Sequence, residues 1–191
     1  MRKQLLFLLI FLLTGCSKQI GLDQSVSYEA LSLFKYFPKV KESAKNWDPG
    51  AVTVMISIDV ITPSTTLQTA YIDINFESRG KLGETISFKC SKMGCESEVF
   101  KINYSLLDTI ELLDPLDLEG VALDSGAVIT IAQQYGANYY LTKEGADCTL
   151  NLTWFENKLV WFGHFQTRND NMSIYIDPVS GDVLKINDTR E

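Results

Sequence analysis

The chain has 191 residues, with 24 acidic and 17 basic side chains, a single histidine and a formal net charge of −7. That length allows one ordinary domain or two small ones, and the acidic balance excludes the basic footprint of a nucleic-acid binder. It equally excludes a basic patch gripping anionic headgroups, and it says nothing about fold. In chain order, Met1-Arg2-Lys3-Gln4 makes a basic start, Leu5 to Leu13 are nine unbroken apolar residues, and Thr14-Gly15-Cys16 follows directly. A basic start, a short apolar core and small residues before a cut are the parts of a secretory signal. Nine residues at 1.5 Å rise span about 14 Å against a hydrocarbon core of about 30 Å, too short for a permanent membrane helix. No later segment reaches 18 apolar residues.

The four residues Leu13-Thr14-Gly15-Cys16 resemble the lipobox of bacterial lipoproteins. The resemblance implies cleavage of the Gly15–Cys16 bond and a diacylglycerol thioether on Cys16, so the membrane is the first expected partner. Acyl chains contribute about 0.8 kcal/mol per buried CH₂, so two or three anchor stably where one does not. Ser17, rather than Asp, follows the cysteine. By analogy with Gram-negative lipoproteins this implies the outer membrane, facing the periplasm. Loss of residues 1–15 removes Arg2 and Lys3 and leaves 176 residues with a formal charge of −9.

Residues 16–24 then form a short lipidated tether, and residues 25–105 read as a first lobe. Val26, Ala30, Leu33, Phe34 and Phe37 recur at helical spacing and predict a helix over Ser25–Phe37. Pro38 interrupts it, with a further turn over Lys39–Trp47 before Asp48-Pro49-Gly50. The period then changes to two. Val52, Val54, Ile56, Ile58 and Val60 make one apolar row, and Ala70, Ile72, Ile74 and Phe76 a second. Ile86, Phe88 and Cys90 make a third row, and Phe100, Ile102 and Tyr104 a fourth. Cys90 and Cys95 flank Ser-Lys-Met-Gly between two strand-like runs. Opposed residues of a hairpin lie about 4.5–5.5 Å apart, which suits a disulfide, and an oxidising envelope favours one. Two cysteines with no nearby histidine do not complete a metal site.

Residues 106–120 carry Asp108, Glu111, Asp114, Asp117 and Glu119 among leucines and read as an acidic connector without EF-hand spacing. Residues 121–191 repeat the order of the first lobe. Asp124 or Ser125 caps a helix with an expected buried face of Ala127, Val128, Ile131 and Tyr135, ending near Gly136. Strands are predicted at Cys148–Phe155, Leu159–Gln166, Ser173–Asp177 and Asp182–Ile186. The expected fold class is α+β: two helix-plus-antiparallel-sheet lobes, a structural duplication without a residue-level repeat.

The second lobe, through Gly126-Ala127-Val128-Ile129-Thr130-Ile131-Ala132, Trp154 and the closing run Tyr175-Ile176-Asp177-Pro178-Val179-Ser180-Gly181-Asp182-Val183-Leu184, resembles a PepSY domain. Ser180 stands where that family's closing turn has Thr. The resemblance implies protein or peptide binding, including modulation of a protease, and no catalysis by the domain itself.

The residues point the same way. His164 is the sole histidine, so any Ser-His-Asp or Cys-His device must use it, with Cys148 or a serine as nucleophile. No G-x-S-x-G elbow, phosphate loop, dinucleotide fingerprint or zinc set is present, so no cofactor, no metal and no enzyme activity are expected. Asp170, Asn171, Asp177 and Asp182 are explained as turn formers rather than calcium ligands. Cys148 reads as a buried small hydrophobe. Trp154, Phe155, Trp161, Phe162 and Phe165 crowd one hairpin on both of its faces. Either the other lobe covers the second set or an apolar patch is left for a partner, with Phe155, Trp161 and Phe162 as partner-binding candidates. The expected role is a non-catalytic binding or regulatory module for an envelope protein or peptide. The alternatives are a structural lipoprotein of an envelope complex and a hydrolase that depends on His164.

Overall fold

A computed structural model describes residues 31–62, 70–101 and 113–190. The expected signal (1–15), Cys16 and the rest of the tether lie outside the described residues. So do residues 25–30 of the expected first helix and residues 106–112 of the acidic connector.

The first helix, α1, is Leu33–Trp47. Leu31 and Ser32 precede it in non-helical conformation, and the Ser32 hydroxyl caps it by accepting from the Lys35 backbone N–H at 3.2 Å. The expectation of a helix broken at Pro38 is corrected. The helix runs straight through Pro38, which forfeits only the single bond its missing N–H would make to the Phe34 carbonyl. Burial of Leu33, Val40 and Ala44 against the sheet holds both sides of that gap in one helix.

Strands β1 (Val52–Asp59), β2 (Ile72–Glu77), β3 (Glu84–Ser91) and β4 (Gly94–Lys101) form an antiparallel meander. The alternating rows face the helix as predicted: Ile56, Ile58, Ile72, Ile74, Phe76, Ile86, Phe88 and Cys90 are all buried. The fourth row is corrected. β4 starts at Gly94, every residue of it is exposed, and Phe100 is 49% exposed; Ile102 and Tyr104 lie outside the described residues. As the sheet edge, β4 lies beyond the reach of the helix layer.

The second half repeats the order. Helix α2 is Ser125–Ala132 and a wide turn over Gln133–Ala137 leads into α3, Asn138–Leu141. The expected helix face is also corrected. Ser125, Val128, Ile129 and Ala132 are buried, while Ala127 is exposed and Tyr135 is 49% exposed. Nor does the helical segment stop near Gly136. That residue takes φ 109°, which only glycine tolerates well, and lets the chain turn and bury Ala137, Tyr140 and Leu141. Strands β5 (Asp147–Phe155), β6 (Lys158–Gln166), β7 (Asn171–Ile176) and β8 (Val183–Asp188) complete the half.

The two halves do not close separate cores. β1 pairs antiparallel with β5 through Ile56↔Leu152 and Ile58↔Leu150, giving one eight-stranded sheet in the order β4-β3-β2-β1-β5-β6-β7-β8. Read from either end, that order runs from the last strand of a half to its first. The halves are therefore related by an approximate two-fold axis at the β1–β5 seam. Buried residues of both halves belong to one continuous core under the helices.

The helices are fastened to each other over this seam. Asp124, the N-cap of α2, accepts from the Ser32 hydroxyl at 2.5 Å, the Phe34 N–H at 3.2 Å and the Ser125 N–H at 2.9 Å. Ser125 donates its hydroxyl to the Leu31 carbonyl at 2.6 Å. One carboxylate thus serves the N-termini of two helices, where its charge also meets the positive ends of both macrodipoles.

Candidate functional site

Among the described residues, the helices cover one face of the sheet and leave the other free of any helix. Strand alternation decides which side chains that second face carries, and the Glu156-Asn157 turn fixes the register on the hairpin that matters most. Both turn residues take positive φ, 50° and 62°, the geometry of a tight two-residue hairpin. Phe155 is then opposite Lys158, Asn151 opposite Phe162, and Phe162 opposite Tyr175 on β7.

These positions bring three aromatic rings together on the helix-free face. The Phe155 and Tyr175 rings lie 4.3 Å apart and the Phe162 and Tyr175 rings 4.9 Å apart. His164 continues the strip, stacked 6.3 Å from Phe162, and the Lys185 ammonium sits 5.6 Å above Phe155. Phe155 and Tyr175 belong to β5 and β7, so their contact spans β6. Val160, on the same face of β6 between them, is fully buried although the helices lie on the opposite side. The sequence-predicted candidates Phe155 and Phe162 are thus brought together, each partly exposed.

Trp161 does not join them, and its place among the surface candidates is corrected. It is 0% exposed under α2, and its indole N–H donates to the Leu123 carbonyl at 3.0 Å. In the run Val160-Trp161-Phe162 two adjacent aromatics must face opposite sides, and the larger one fills the core. The other half does not cover the outward set either, because it lies beside the second half in the same sheet. Tyr175 was missed from sequence. It alternates with the inward-facing Met172, Ile174 and Ile176, but its partnership with Phe155 needs the register of three strands.

Across the seam the same face becomes acidic. Asp59 and Asp73 both sit partly buried in it. Burial pushes both carboxyl groups above the usual carboxylate range, and each nearby acid adds to this at Asp59. Lys89, opposite Asp73 on β3, offsets part of this rise at both groups, and its ammonium lies over the Tyr71 ring at 3.5 Å. A groove of about 530 Å³ opens here, lined by Met55, Asp73, Asn75, Glu96, Glu98 and Phe100 among others.

Cys90 and Cys95 are directly paired in the β3–β4 register and joined by a disulfide, as the hairpin spacing predicted. Cys148 is buried, and burial pushes its thiol pKa up to about 12, away from thiolate chemistry at neutral pH. It points to the helix side while His164 points to the other, so the two do not meet. His164 has Gln166 Oε1 3.3 Å from its Nε2. Ser173 lies across from it on β7, where its hydroxyl accepts from Asn187 at 3.3 Å. The four turn acids and amides named from sequence are engaged locally. Asp177 accepts from the Val179 and Ser180 N–H groups, both at 2.9 Å, which holds its carboxyl below the usual range. Asp182 accepts from Ser180 at 2.8 Å, Asp170 from Tyr139 at 2.9 Å, and the Asn171 N–H donates to Thr189 at 2.9 Å. Among the described residues no three His, Cys, Asp or Glu side chains gather to hold a metal ion.

No family model and no curated protein matches the chain. Its backbone is similar to a crystal structure of a candidate lipoprotein from Clostridium difficile 630, at 13% identity and a TM-score of 0.53. The likeness covers 80% of this chain and 92% of that one, more than either half alone. At that identity it establishes a shared fold: a mixed α+β chain dominated by one antiparallel sheet.

Proposed function

We propose that the chain is a lipid-anchored envelope protein that binds a protein or peptide on the helix-free face of its sheet, without catalysis. The observation that carries this reading is the cluster of Phe155, Phe162 and Tyr175, three rings packed on one another and still open to solvent. Rigid aromatic side chains give large contact area at low conformational cost, and such clusters dominate binding energy at interfaces. Anchoring by acyl chains on Cys16 would hold this face near a membrane, and the lipobox with Ser17 supports the periplasmic side of an outer membrane. A PepSY-like second half is part of the same reading, supported by the Asp177 turn with Gly181 at φ 81°. Regulation of an envelope protease is the role that resemblance implies.

Site-specific crosslinking in the native host tests this. A photoreactive residue at position 162 should give a discrete adduct, and one at Tyr135, exposed on the helix side, should give none. Equal adducts at both positions, or none at 162, would contradict the assigned face. In the same cells Cys16→Ser should lose acylation and leave the membrane fraction; an unchanged lipid-bearing product would remove the anchor from the account.

A further inference from the structure

The two edges of the sheet differ. The β8 end is tied back to the helix layer: Tyr140 donates to Asp188 at 2.8 Å, and Arg190 clasps the same carboxylate and lies over the Tyr139 and Tyr140 rings at 4.5 and 4.9 Å. The β4 edge is open among the described residues. All eight residues from Gly94 to Lys101 are exposed, and one row of strand backbone groups faces away from β3 with no further described strand beside it. The strand is nonetheless held in shape at both ends, by the Cys90–Cys95 disulfide and by the 2.9 Å ion pair between Lys101 and Glu84. A preformed edge of this kind accepts another strand at little ordering cost.

Charge selects what fits it. On the helix-free face β4 presents Glu96 and Glu98, and the adjoining groove adds Asp73. The cation within the groove, Lys89, lies over the Tyr71 ring and directly across from Asp73 and Glu96, so it offsets one of the three carboxylates and leaves the groove acidic. Asn75, beside Asp73, has a fully buried side-chain oxygen with no hydrogen-bond donor among the described residues; its amide N–H faces the Met55 sulfur at 3.9 Å. The groove therefore offers acceptors in excess of donors. Met55 and Phe100 supply the apolar surface on which an aliphatic stem can lie. A second copy of the chain is a poor occupant, since the central two-fold registers of β4 against β4 that keep like faces on one side set Glu96 opposite Glu96, Glu96 opposite Glu98, or Glu98 opposite Glu98.

We propose that β4 and its groove take an extended basic peptide, added to the sheet as a ninth strand, with a Lys or Arg side chain entering between Asp73, Asn75, Glu96 and Glu98. This names a partner class for the binding face and rests on that reading. The Lys or Arg stem crosses Met55 and Phe100, its head donates to the Asp73, Glu96 and Glu98 carboxylates, and the peptide backbone pairs with the open side of β4.

The test uses the soluble 17–191 chain and two fluorescein-labelled nonapeptides, one alternating lysine with threonine and one alternating glutamate with threonine, read by fluorescence anisotropy. The lysine peptide should bind with a salt-dependent Kd and slow amide exchange across Gly94–Lys101, while the glutamate peptide should not bind. Asp73→Asn/Glu96→Gln/Glu98→Gln should weaken binding at least tenfold. Glu42→Gln/Glu119→Gln/Glu144→Gln removes the same charge from exposed sites elsewhere and should change it less than twofold. Equal loss in both triple variants, binding of the glutamate peptide, or no binding of the lysine peptide would each overturn the proposal. Failure of the wider reading shows separately, as absence of the position-162 crosslink.

Discussion

Trp161→Ala should lower the unfolding free energy by about 3–5 kcal/mol and leave little folded protein at 37 °C. The indole is fully buried where the second half of the sheet meets α2, and its N–H holds the Leu123 carbonyl just before the Asp124 cap. Truncation leaves a large cavity and an acceptor without its donor, and the surrounding close-packed chains relax only partly. Urea denaturation followed by tryptophan fluorescence and circular dichroism measures the loss. A variant within 1 kcal/mol of the parent would mean that Trp161 does not sit in the core. The same physics makes Trp161 useless as a probe of partner binding, since its removal disturbs folding first.

The second large effect is expected at Asp188. Its carboxylate receives the Tyr140 hydroxyl and the Arg190 guanidinium, and these hold its pKa down to about 2. Tyr140, buried and bonded to it, is pushed the other way, up to about 12. Asp188→Ala should cost about 2–3 kcal/mol, the range for hydrogen bonds to a charged partner, and free the end of β8. The pH dependence has a definite sign. A carboxylate with a depressed folded-state pKa stabilises fully above its unfolded value near 4, and that contribution disappears as pH falls toward 2. The parent protein should therefore lose Tm steeply between about pH 4 and pH 2, and Asp188→Ala should show a shallower fall over that window. Identical slopes in the two proteins would place the acid sensitivity elsewhere.

Much of the fold could be read from residue periodicity, because inward rows such as Ile56-Ile58, Ile72-Ile74 and Leu150-Leu152 alternate cleanly over one buried face. The Cys90–Cys95 bridge was legible for the same reason: a hairpin a few residues long leaves only one way to oppose its flanks. Local pattern failed where a choice depended on distant partners. Joining the halves through β1 and β5 brings together strands some ninety residues apart, and nothing near Ile56 or Leu152 encodes that pairing. The phase of α2 turned on which residues the seam requires, with Ser125 buried against the start of α1 rather than exposed as a cap. At Val160-Trp161-Phe162 every residue is apolar, so alternation gives no sign; only register decides that Trp161 goes inward and Phe162 outward. Two of the three rings of the aromatic site, Phe155 and Phe162, were therefore visible in the sequence and Tyr175 was not.

The geometry also separates the two parts of the helix-free face. An aromatic cluster in the second half and an acidic edge in the first lie at different places on one continuous sheet. The continuous core lies under the helices on the other side, and Val160 is the buried aliphatic beneath the aromatic cluster.

The most direct test of the account removes the aromatic cluster without touching that core. Soluble 17–191 protein and its Phe155→Ala/Phe162→Ala variant are immobilised side by side, and detergent-solubilised envelope from the native host is passed over both. The account predicts a protein or peptide retained by the parent and lost from the variant, with each protein still unfolding in one cooperative urea transition. Equal retention by parent and variant would contradict it and remove the aromatic cluster from any role in binding.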